Sequence, residues 1–301
     1  MTKVFAVVLN FNRPKDTIAC LKSIEKSDSK VKTVVVDNNS NDNSLEEIRN
    51  FIGEKKNFEL LLSSENKGYS GGNNTGIKKS LSEGADYVIV INNDTEISRN
   101  TISTLVAVAE SDERIGMISP KIYFAKGHEY KKGYKKSDLG KVIWYAGGKI
   151  DWANVYGSTK GVDQVDKGQF EESSETDYAT GACVLITRKV LERAGMFDER
   201  YFLYYEDTEL SQRVKDNGFK VWYSPRTHIW HKAGSTTGIG NELNDYFSTR
   251  NRLLFGMSFA PLRSKIALIK ESVKLLFTGR PWQKVGIKDF YIGNFGKGSW
   301  K

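Results

Sequence analysis

The sequence predicts an α/β fold in which a mostly parallel central sheet is flanked by helices. Largely apolar runs occur over 3–9, 32–36 and 87–91. Such runs, without polar alternation, are typical of strands that are buried on both faces of a parallel sheet. Segments with helical apolar spacing separate them, so strands and helices alternate along the chain. Polar clusters follow the strands, which places them on one edge of the sheet, where α/β proteins bind ligands.

Length and charge limit the classes of protein to which the chain can belong. With 301 residues, 27% charged and 39% hydrophobic, it is an ordinary globular chain of one large or two small domains. The formal net charge is +8, and residues 261–301 carry nine Lys/Arg against two acids, which is +7 of that charge. A basic balance suits nucleic acid, an anionic small molecule or a membrane surface.

The cysteines and the N-terminus point to the cytoplasm. Cys20 and Cys183 lie far apart in the sequence, and we expect both to be buried thiols, which fits a reducing compartment. The N-terminus opens directly into a strand, so no signal peptide is predicted. No apolar run approaches the ~20 residues that a membrane span needs.

The first half of the chain is predicted to contain four strands and their connecting helices. Strands are expected over 3–9, 32–36, 58–62 and 87–91, and helices from Pro14, over 44–52, after Gly76 and over 100–111. The glycine-rich stretch 65–76 is predicted as a loop that leads into a short helix. Its glycines indicate either a flexible loop or a close backbone approach to a ligand, and the second interpretation is favoured because the loop lies on the polar edge.

The second half changes character after a short predicted strand over 115–119. Residues 121–176 are rich in Gly, Lys and Tyr and are predicted as an insertion of loops and short antiparallel strands, with a solvated lysine run over 131–136. Regular structure is expected again as a strand over 180–187, a helix over 188–194, a turn over 195–198, a helix after the aromatic run 201–205, a strand over 220–223 and a segment 225–234 that contains His228 and His231.

From Tyr246 the chain is predicted to be helical and basic. Ile266, Ile269, Val273 and Leu276 recur at helical spacing. Packing of this stripe onto the main domain is the commoner arrangement. The +7 charge and the terminal aromatic residues make association with a membrane surface the competing interpretation.

The cluster Asn92, Asn93, Asp94 and Thr95 follows the apolar run 87–91 and is the main candidate site. A carboxylate beside amides and a hydroxyl suits a hard cation such as Mg²⁺ or Mn²⁺. The alternative is a turn that caps the next helix, a common use of Asn and Asp. The sequence contains neither G-x-G-x-x-G after the first strand nor G-x-x-x-x-G-K-[ST], which argues against a dehydrogenase-type dinucleotide site and a P-loop.

Short motifs follow one another along the chain: 7–12 (VVLNFN), 35–40 (VVDNNS), 66–76 (NKGYSGGNNTG), 91–95 (INNDT), Gly181-Ala182, 195–198 (GMFD), 204–207 (YYED), Arg213, Gly218, Pro225 and His231. As a set, over about residues 3–255, they resemble the family 2 glycosyltransferases, which are inverting enzymes with a GT-A fold. The resemblance is greatest to the bacterial and archaeal branch that includes rhamnosyltransferases of surface polysaccharide synthesis. It implies a GT-A domain over 1–255, with 121–176 as an acceptor-side insertion, and a basic amphipathic helical extension over 256–301.

The resemblance implies a divalent-metal site, for Mg²⁺ or Mn²⁺. Residues 92–94 would be a D-x-D-like motif with Asn92 in its first position, and Asp94 and His231 would be the metal ligands. One carboxylate instead of two implies weaker metal affinity, so the metal would bind well together with the diphosphate. His228, three residues earlier, is a rival for the role of His231.

The resemblance also implies catalytic and donor-binding residues. Asp207, with Glu206 beside it, would be the general base that takes the proton of the acceptor hydroxyl. The alternative is that both acids serve only to stabilise the start of the helix, since negative side chains interact favourably with the helix dipole there. Asp37 would read a pyrimidine base, or else cap a turn. The donor-nucleotide residues would be Asn10, Asn12, Asp37, Asn39, Lys67, Asn73, Asn93 and Arg250.

The implied activity is the transfer of a sugar, with L-rhamnose as a candidate, from a dTDP- or UDP-linked donor to a hydroxyl of a saccharide or lipid-linked saccharide. No nucleic-acid partner is expected, and the basic C-terminus suggests peripheral contact with the inner face of the cell membrane. The competing interpretations are a basic nucleic-acid binder, a nucleotidyltransferase that makes sugar nucleotides, and a catalytically inactive carbohydrate-binding relative.

Overall fold

A computed structural model describes residues 2–233 and 241–301, and it confirms the α/β fold with a mostly parallel sheet. The strands are β1 Val4–Asn10, β2 Val31–Asp37, β3 Phe58–Leu62, β4 Tyr87–Asn92, β5 Thr95–Ile97, β6 Ile115–Phe124, β7 Ile143–Tyr145, β8 Gly148–Asp151, β9 Tyr156–Thr159, β10 Ser174–Glu175, β11 Cys183–Thr187 and β12 Lys220–His231. The α-helices are α1 Pro14–Glu25, α2 Ser44–Ile52, α3 Gly68–Ser82, α4 Thr101–Ser111, α5 Arg188–Arg193, α6 Glu206–Asp216, α7 Glu242–Phe259, α8 Leu262–Thr278 and α9 Pro281–Ile292.

The order of strands brings the polar strand ends together. The sheet runs β10-β12-β6-β11-β4-β1-β2-β3, and β4, β1, β2 and β3 are parallel to one another. In this register Asn10 lies opposite Asp37, and Leu9 lies opposite Asn92. β11 is inserted antiparallel between β4 and β6. The carboxyl ends of β1, β2 and β4 therefore meet at one edge, as the sequence predicts.

Two apolar layers cover the sheet because successive side chains of each strand point to opposite faces. Ala6 and Val8 of β1 belong to the layer that contains Leu21 and Leu105 from α1 and α4. Phe5 and Val7 belong to the opposite layer, with residues of α3, α5 and α6. Cys20 and Cys183 are free and fully buried, as expected. Burial raises the pKa of both thiols, that of Cys20 to about 12, so both are protonated at neutral pH.

The glycine-rich stretch is largely part of helix α3, which begins at Gly68, whereas the sequence predicted a helix only after Gly76. Gly72 and Gly76 serve helix–strand packing. A Cβ at Gly72 would clash with the side chain of Leu9, and one at Gly76 would clash with that of Val7. Both neighbours are on β1, so the missing side chains allow α3 to approach the centre of the sheet.

Two strands are longer than predicted. The strand expected over 115–119 continues to Phe124, and the strand expected over 220–223 continues to His231. β12 passes Pro225 through a register shift between Ser224 and His228. A bulge of this kind tolerates the missing N–H of proline, which explains why Pro225 does not end the strand.

Residues 125–176 form the loops and short strands expected for the insertion, whereas 121–124 belong to β6; the C-terminal segment is helical, as expected. β8 and β9 form a small separate antiparallel sheet, and Lys131, Lys132, Lys135 and Lys136 are exposed. The expected boundary between 255 and 256 falls inside α7, and α9 folds back against that helix. Within the described ranges, none of the helices is both long enough and apolar enough to cross a bilayer.

Candidate active site

A network of polar side chains joins the ends of β1, β2 and β4. Asn10 Nδ2 donates to Asp37 Oδ2 at 2.9 Å, and its Oδ1 accepts from Thr17 Oγ1 at 2.6 Å. Asn93 Nδ2 donates to the same Thr17 oxygen at 2.9 Å. The structure thus brings three predicted donor-binding residues, Asn10, Asp37 and Asn93, into one hydrogen-bonded group.

Asp37 has a structural role in this group and a small remaining capacity to accept. Its carboxylate accepts from Asn10, from Ser40 N at 3.0 Å and from Ser40 Oγ at 2.7 Å, and Asp37 is 5% exposed. A carboxylate has about four lone-pair sites. Asp37 therefore does cap the turn that follows β2, as the alternative interpretation expected. About one lone-pair site of its carboxylate is left to accept a hydrogen bond from the N–H of a base.

The neighbouring loops are also shaped by asparagines. Asn12 and Asn39 adopt left-handed backbone conformations with φ of 54° and 65°, and Asn12 Oδ1 accepts from Asn41 N. Asn38 accepts from Lys67 N and donates to Gly68 O, which ties the end of β2 to the start of α3. Lys67 is exposed at this start, where its charge is available to a ligand.

Asp94 and His231 are in direct contact. β5 pairs with β12 so that Thr95 lies opposite His231, and Asp94 Oδ1 is 3.1 Å from His231 Nε2. Arg13 lies 3.8 Å from the other carboxylate oxygen. Burial raises the pKa of Asp94, but the hydrogen bond and charge of His231 and the charge of Arg13 lower it more, so its pKa is below its usual range. Asp94 is therefore ionised at neutral pH.

A divalent ion fits this pair. Two ligands at right angles, each about 2.1 Å from an octahedral ion, are about 3 Å apart, which matches the Asp94–His231 distance. The part of the chain that the structure describes holds no cluster of three or more His, Cys, Asp or Glu that would bind a metal. The ion would then need further ligands from a bound diphosphate and water.

His228 does not compete for this position. Its ring packs between Tyr123 and Trp230, with centroid distances of 5.3 Å and 4.7 Å. Burial lowers its pKa. The ring of His231 packs edge-on against Trp144 at 4.7 Å while its Nε2 faces Asp94.

Asp207 is placed at the start of α6, next to the end of β4. Gly181 N donates to Asp207 Oδ2 at 2.9 Å, and Ala182 O accepts from Asn92 N at 3.0 Å. The Gly181-Ala182 motif thus links Asp207 to the Asn92–Asp94 turn. Burial raises the pKa of Asp207, although hydrogen bonds from Gly181 and Thr208 oppose the shift. A carboxylate with a raised pKa is a stronger base.

Glu206 differs from its neighbour. It is 6% exposed, and its Oε2 has no hydrogen-bond partner within the described residues. Burial, and then the charge of Asp207, raise its pKa well above the usual range. Burial therefore disfavours the charged form of Glu206 more strongly than that of Asp207.

The loop before these acids is strained. Phe202, Tyr204 and Tyr205 have positive φ of 49°, 69° and 71°, a region that costs a residue with a side chain about 1 kcal/mol or more. Asn251 of α7 holds this loop: its Nδ2 lies 2.7, 2.8 and 2.9 Å from the carbonyl oxygens of Tyr201, Leu203 and Tyr204. The sequence interpretation missed Asn251, although it adjoins the noted residue Arg250.

Arg250 does not occupy the predicted position near the diphosphate. It is 0% exposed, and its guanidinium donates to Asn251 Oδ1 and to the carbonyls of Arg200 and Asn294. It packs inside the C-terminal helices, and we correct its role to packing. Asn73 is also buried: its Nδ2 donates to Tyr69 O, and its Oδ1 is unpaired within the described part of the chain.

Two cations that the sequence interpretation did not single out lie beside Asp94. One is Arg13, and the other is Lys232, whose backbone N donates to Asp94 O and whose Nζ lies 2.9 Å from Asp16. The sequence could have indicated both residues, because Arg13 directly follows the motif 7–12 and Lys232 directly follows His231.

Comparison with known proteins identifies relatives. The sequence model described as "Glycosyl transferase family 2" matches residues 5–195. The "Low-salt glycan biosynthesis hexosyltransferase Agl10" of Haloferax volcanii is 28% identical over 224 residues, which cover 73% of this chain and 66% of the relative. The "N-acetylglucosaminyl-diphospho-decaprenol L-rhamnosyltransferase" of Mycobacterium tuberculosis is 28% identical over 160 residues, which cover 51% of this chain and 49% of the relative. The chain thus spans about half to two thirds of the length of these relatives.

A third relative and a solved structure match more of the chain. The "dTDP-rhamnosyl transferase RfbF" of Shigella flexneri is 23% identical, covering 84% of this chain and 79% of the relative. The mannosyltransferase PcManGT of Pyrobaculum calidifontis, solved with GDP-Man and Mn²⁺, has a TM-score of 0.57 at 15% identity and covers 97% of this chain and 74% of that one. This structural likeness confirms the expected GT-A fold.

Proposed function

The chain belongs to glycosyl transferase family 2, and we propose that it moves a sugar from a nucleoside-diphosphate donor to an acceptor hydroxyl with inversion. The observation that supports this most is the placement of two chemically different groups at one sheet edge. An ionised Asp94 contacts His231, and a carboxylate of raised pKa, Asp207, is joined to the same turn through Gly181-Ala182.

The donor would lie across the ends of β1, β2 and β4. Asp37, with Asn10, Asn12, Asn39 and Asn93 around it, would contact the nucleoside. Mg²⁺ or Mn²⁺ bound by Asp94 and His231 would supply positive charge for the diphosphate. Arg13 and Lys232, which share the carboxylate of Asp16, and the exposed Lys67 place further cationic side chains near this edge.

The transfer itself would be a single displacement. The acceptor oxygen forms a bond to the anomeric carbon while its proton moves to the Asp207 carboxylate. The bond between the anomeric carbon and the diphosphate oxygen breaks, and its electron pair stays on the diphosphate. Asp207, whose carboxylate accepts from Gly181 N, is the proposed base of the pair, because burial disfavours the charged form of Glu206 more strongly.

The relatives favour particular substrates. Their names contain dTDP-rhamnose and a lipid-linked acceptor, N-acetylglucosaminyl-diphospho-decaprenol. We therefore propose a dTDP- or UDP-linked donor, L-rhamnose as the first sugar to test, and a saccharide or lipid-linked saccharide acceptor of surface polysaccharide synthesis. The site of action would be the cytoplasmic face of the membrane.

A thermal-shift panel tests the donor site. UDP, dTDP, GDP and ADP are each added with and without Mn²⁺ or Mg²⁺ to the wild type, Asp94→Ala and His228→Gln. A ligand at ~100 times its dissociation constant adds about 2.7 kcal/mol of stability. We expect a metal-dependent shift with a pyrimidine diphosphate that Asp94→Ala loses and His228→Gln keeps.

The other results discriminate between the alternatives. A shift that does not depend on metal would reject the metal role of Asp94. A shift with the right nucleotide but no release of nucleoside diphosphate from any sugar donor and acceptor would favour an inactive binding relative. No shift with any nucleotide would reject the donor site.

A further inference from the structure

Helix α8 exposes one continuous apolar face. Leu262, Ile266, Ile269, Val273 and Phe277 are 74, 46, 40, 48 and 78% exposed, and they recur three or four residues apart. Residues at this spacing lie on one face of a helix. The stripe predicted from the sequence therefore faces solvent for most of its length, and the expectation that it packs on the main domain is wrong for Ile266, Ile269 and Val273.

The opposite face of α8 fixes the helix to the fold. Ser264, Leu268 and Ser272 are buried, and Leu268 fills the space that a side chain at Gly256 of α7 would need. Ser272 Oγ is 2.7 Å from the hydroxyl of Tyr291 on α9. The exposed face is therefore held in a defined orientation by α7 and α9.

Basic residues border the apolar face. Arg263, Lys270 and Lys274 lie along one side of it at helical spacing, and Lys265 lies on the other side. The single acid of the helix, Glu271, points away and pairs with Arg252 of α7 at 2.9 Å. The second acid of the segment, Asp289, is 3% exposed. The exposed side chains of Arg263, Lys270 and Lys274 therefore give this border of the apolar face a positive charge.

We propose that this face of α8 docks on an anionic lipid bilayer. A helix with an apolar face, a basic border and no span-forming length lies in the membrane interface, with its apolar side chains in the acyl boundary and its cations at the head groups. The 17 residues of α8 give a strip about 25 Å long. A second copy of the chain is a poorer occupant, because an isologous contact would place identical basic borders against each other.

The docking surface is connected to the predicted acceptor side. Gly256, which contacts Leu268, also lies against Val155 of the β8–β9 hairpin, and Val155 O accepts from the hydroxyl of Tyr205 at 3.0 Å. Tyr205 immediately precedes Glu206 and Asp207. Docking through α8 would hold Asp207 near the bilayer, where a lipid-linked acceptor is anchored; this functional consequence rests on the proposed function, whereas docking itself does not.

Vesicle flotation tests the docking. The full chain is mixed with vesicles of neutral phosphatidylcholine or of phosphatidylcholine with phosphatidylglycerol, at low and high salt. The test variants are Ile266→Asn with Val273→Asn, and Lys270→Glu with Lys274→Glu. The matched control makes similar changes in the insertion, Tyr130→Ser with Lys131→Glu, where both side chains are exposed.

The wild type is expected to float with anionic vesicles and to lose most of this binding at high salt. Each α8 pair should lower binding at least tenfold, and the control should not. Absence of wild-type binding, or equal binding of wild type and both α8 pairs, would overturn the proposal. So would a wild-type dimer that the α8 variants dissociate without an effect on vesicles. The nucleotide thermal shift, measured on the same variants without vesicles, separates failure of docking from failure of the donor site.

Discussion

At the scale of single residues, Asp207 is the group whose removal should affect chemistry most selectively. Asp207→Asn keeps the size of the side chain but removes the carboxylate that we propose as the base. We expect turnover to fall by about 10²- to 10⁴-fold, because general base catalysis contributes that much. The measurement is release of nucleoside diphosphate from the donor chosen by the thermal-shift panel, in the presence of a saccharide acceptor. Asp216→Asn, an exposed position at the end of the same helix, is the matched control.

The pH dependence of turnover gives a second check on Asp207. Because burial raises its pKa, the carboxylate should become protonated above the ordinary value of about 3.9. Activity should therefore fall, as the pH decreases, at a higher pH than an unperturbed Asp would cause. Equal turnover of Asp207→Asn and wild type across the pH range would assign the base to another residue.

The residue scale also shows what could be predicted and what could not. The resemblance to the family implied that Asp94 and His231 act together, and the two side chains are in contact although 137 positions separate them. It placed Arg250 near the diphosphate, but Arg250 is buried. A charged residue on a helix gives no local signal of the face that it occupies, since that depends on which helices later cover it.

At the scale of elements, the parallel strands were predictable and the helix α3 was not. Unalternating apolar runs reveal buried strands directly, so β2, β3 and β4 lie within a residue or so of their expected positions. In α3, Gly71, Gly72 and Gly76 lower the helix propensity, which favours a loop in a local interpretation. Packing of that helix on Leu9 and Val7 outweighs the local preference, and such a contact is visible only in three dimensions.

The loop over 201–205 is the element whose strain should matter for function. Asn251→Ala removes the amide that lies within hydrogen-bond distance of three carbonyl oxygens. Tyr201 O keeps Leu203 N as a donor, whereas Leu203 O and Tyr204 O lose the Asn251 partner. We expect a loss of about 2–4 kcal/mol of stability, since each buried unsatisfied group costs about 1–3 kcal/mol. Urea unfolding measures this loss. Ser258→Ala, later on the same helix, should stay within about 1 kcal/mol of the wild type because its hydroxyl bonds only to Leu254 O of its own helix.

Turnover separates a positioning role for Asn251 from a merely structural one. If the loop positions Asp207, the folded fraction of Asn251→Ala should show a lower kcat with a nearly unchanged KM for the donor, because the proposed donor site lies at the ends of β1, β2 and β4. An unchanged kcat under conditions where the variant is fully folded would show that Asn251 stabilises the fold and does not position the base.

At the scale of the whole molecule, the C-terminal helices are part of the folded unit and not an appendage. Arg250 and Tyr246 of α7 are fully buried beneath α9 and the final residues. Asp289 of α9 accepts from Tyr246, from Ser299 N at 2.8 Å and from Ser299 Oγ at 2.9 Å. The chain end thus closes over a buried cation. The aromatic and basic composition of 256–301 gives no sign of this contact in the sequence. The segment was therefore predicted to be an extension of the domain.

Asp289→Asn should therefore destabilise the entire domain. The substitution removes the negative charge nearest to the buried Arg250 guanidinium, and disrupting a buried charged network costs about 3 kcal/mol or more.

Burial raises the pKa of Asp289, but hydrogen bonds from Tyr246 and Ser299 lower it more, so its pKa in the folded state is below the usual value. Its stabilisation is then present above about pH 3.9, the unfolded value, and is lost as the pH falls through the lower folded value. The difference in unfolding free energy between wild type and Asp289→Asn, measured in urea, should be largest near pH 7 and shrink below pH 4. A difference that is small at pH 7, like that expected for exposed Asp216→Asn, would mean that the C-terminal helices fold independently of the domain.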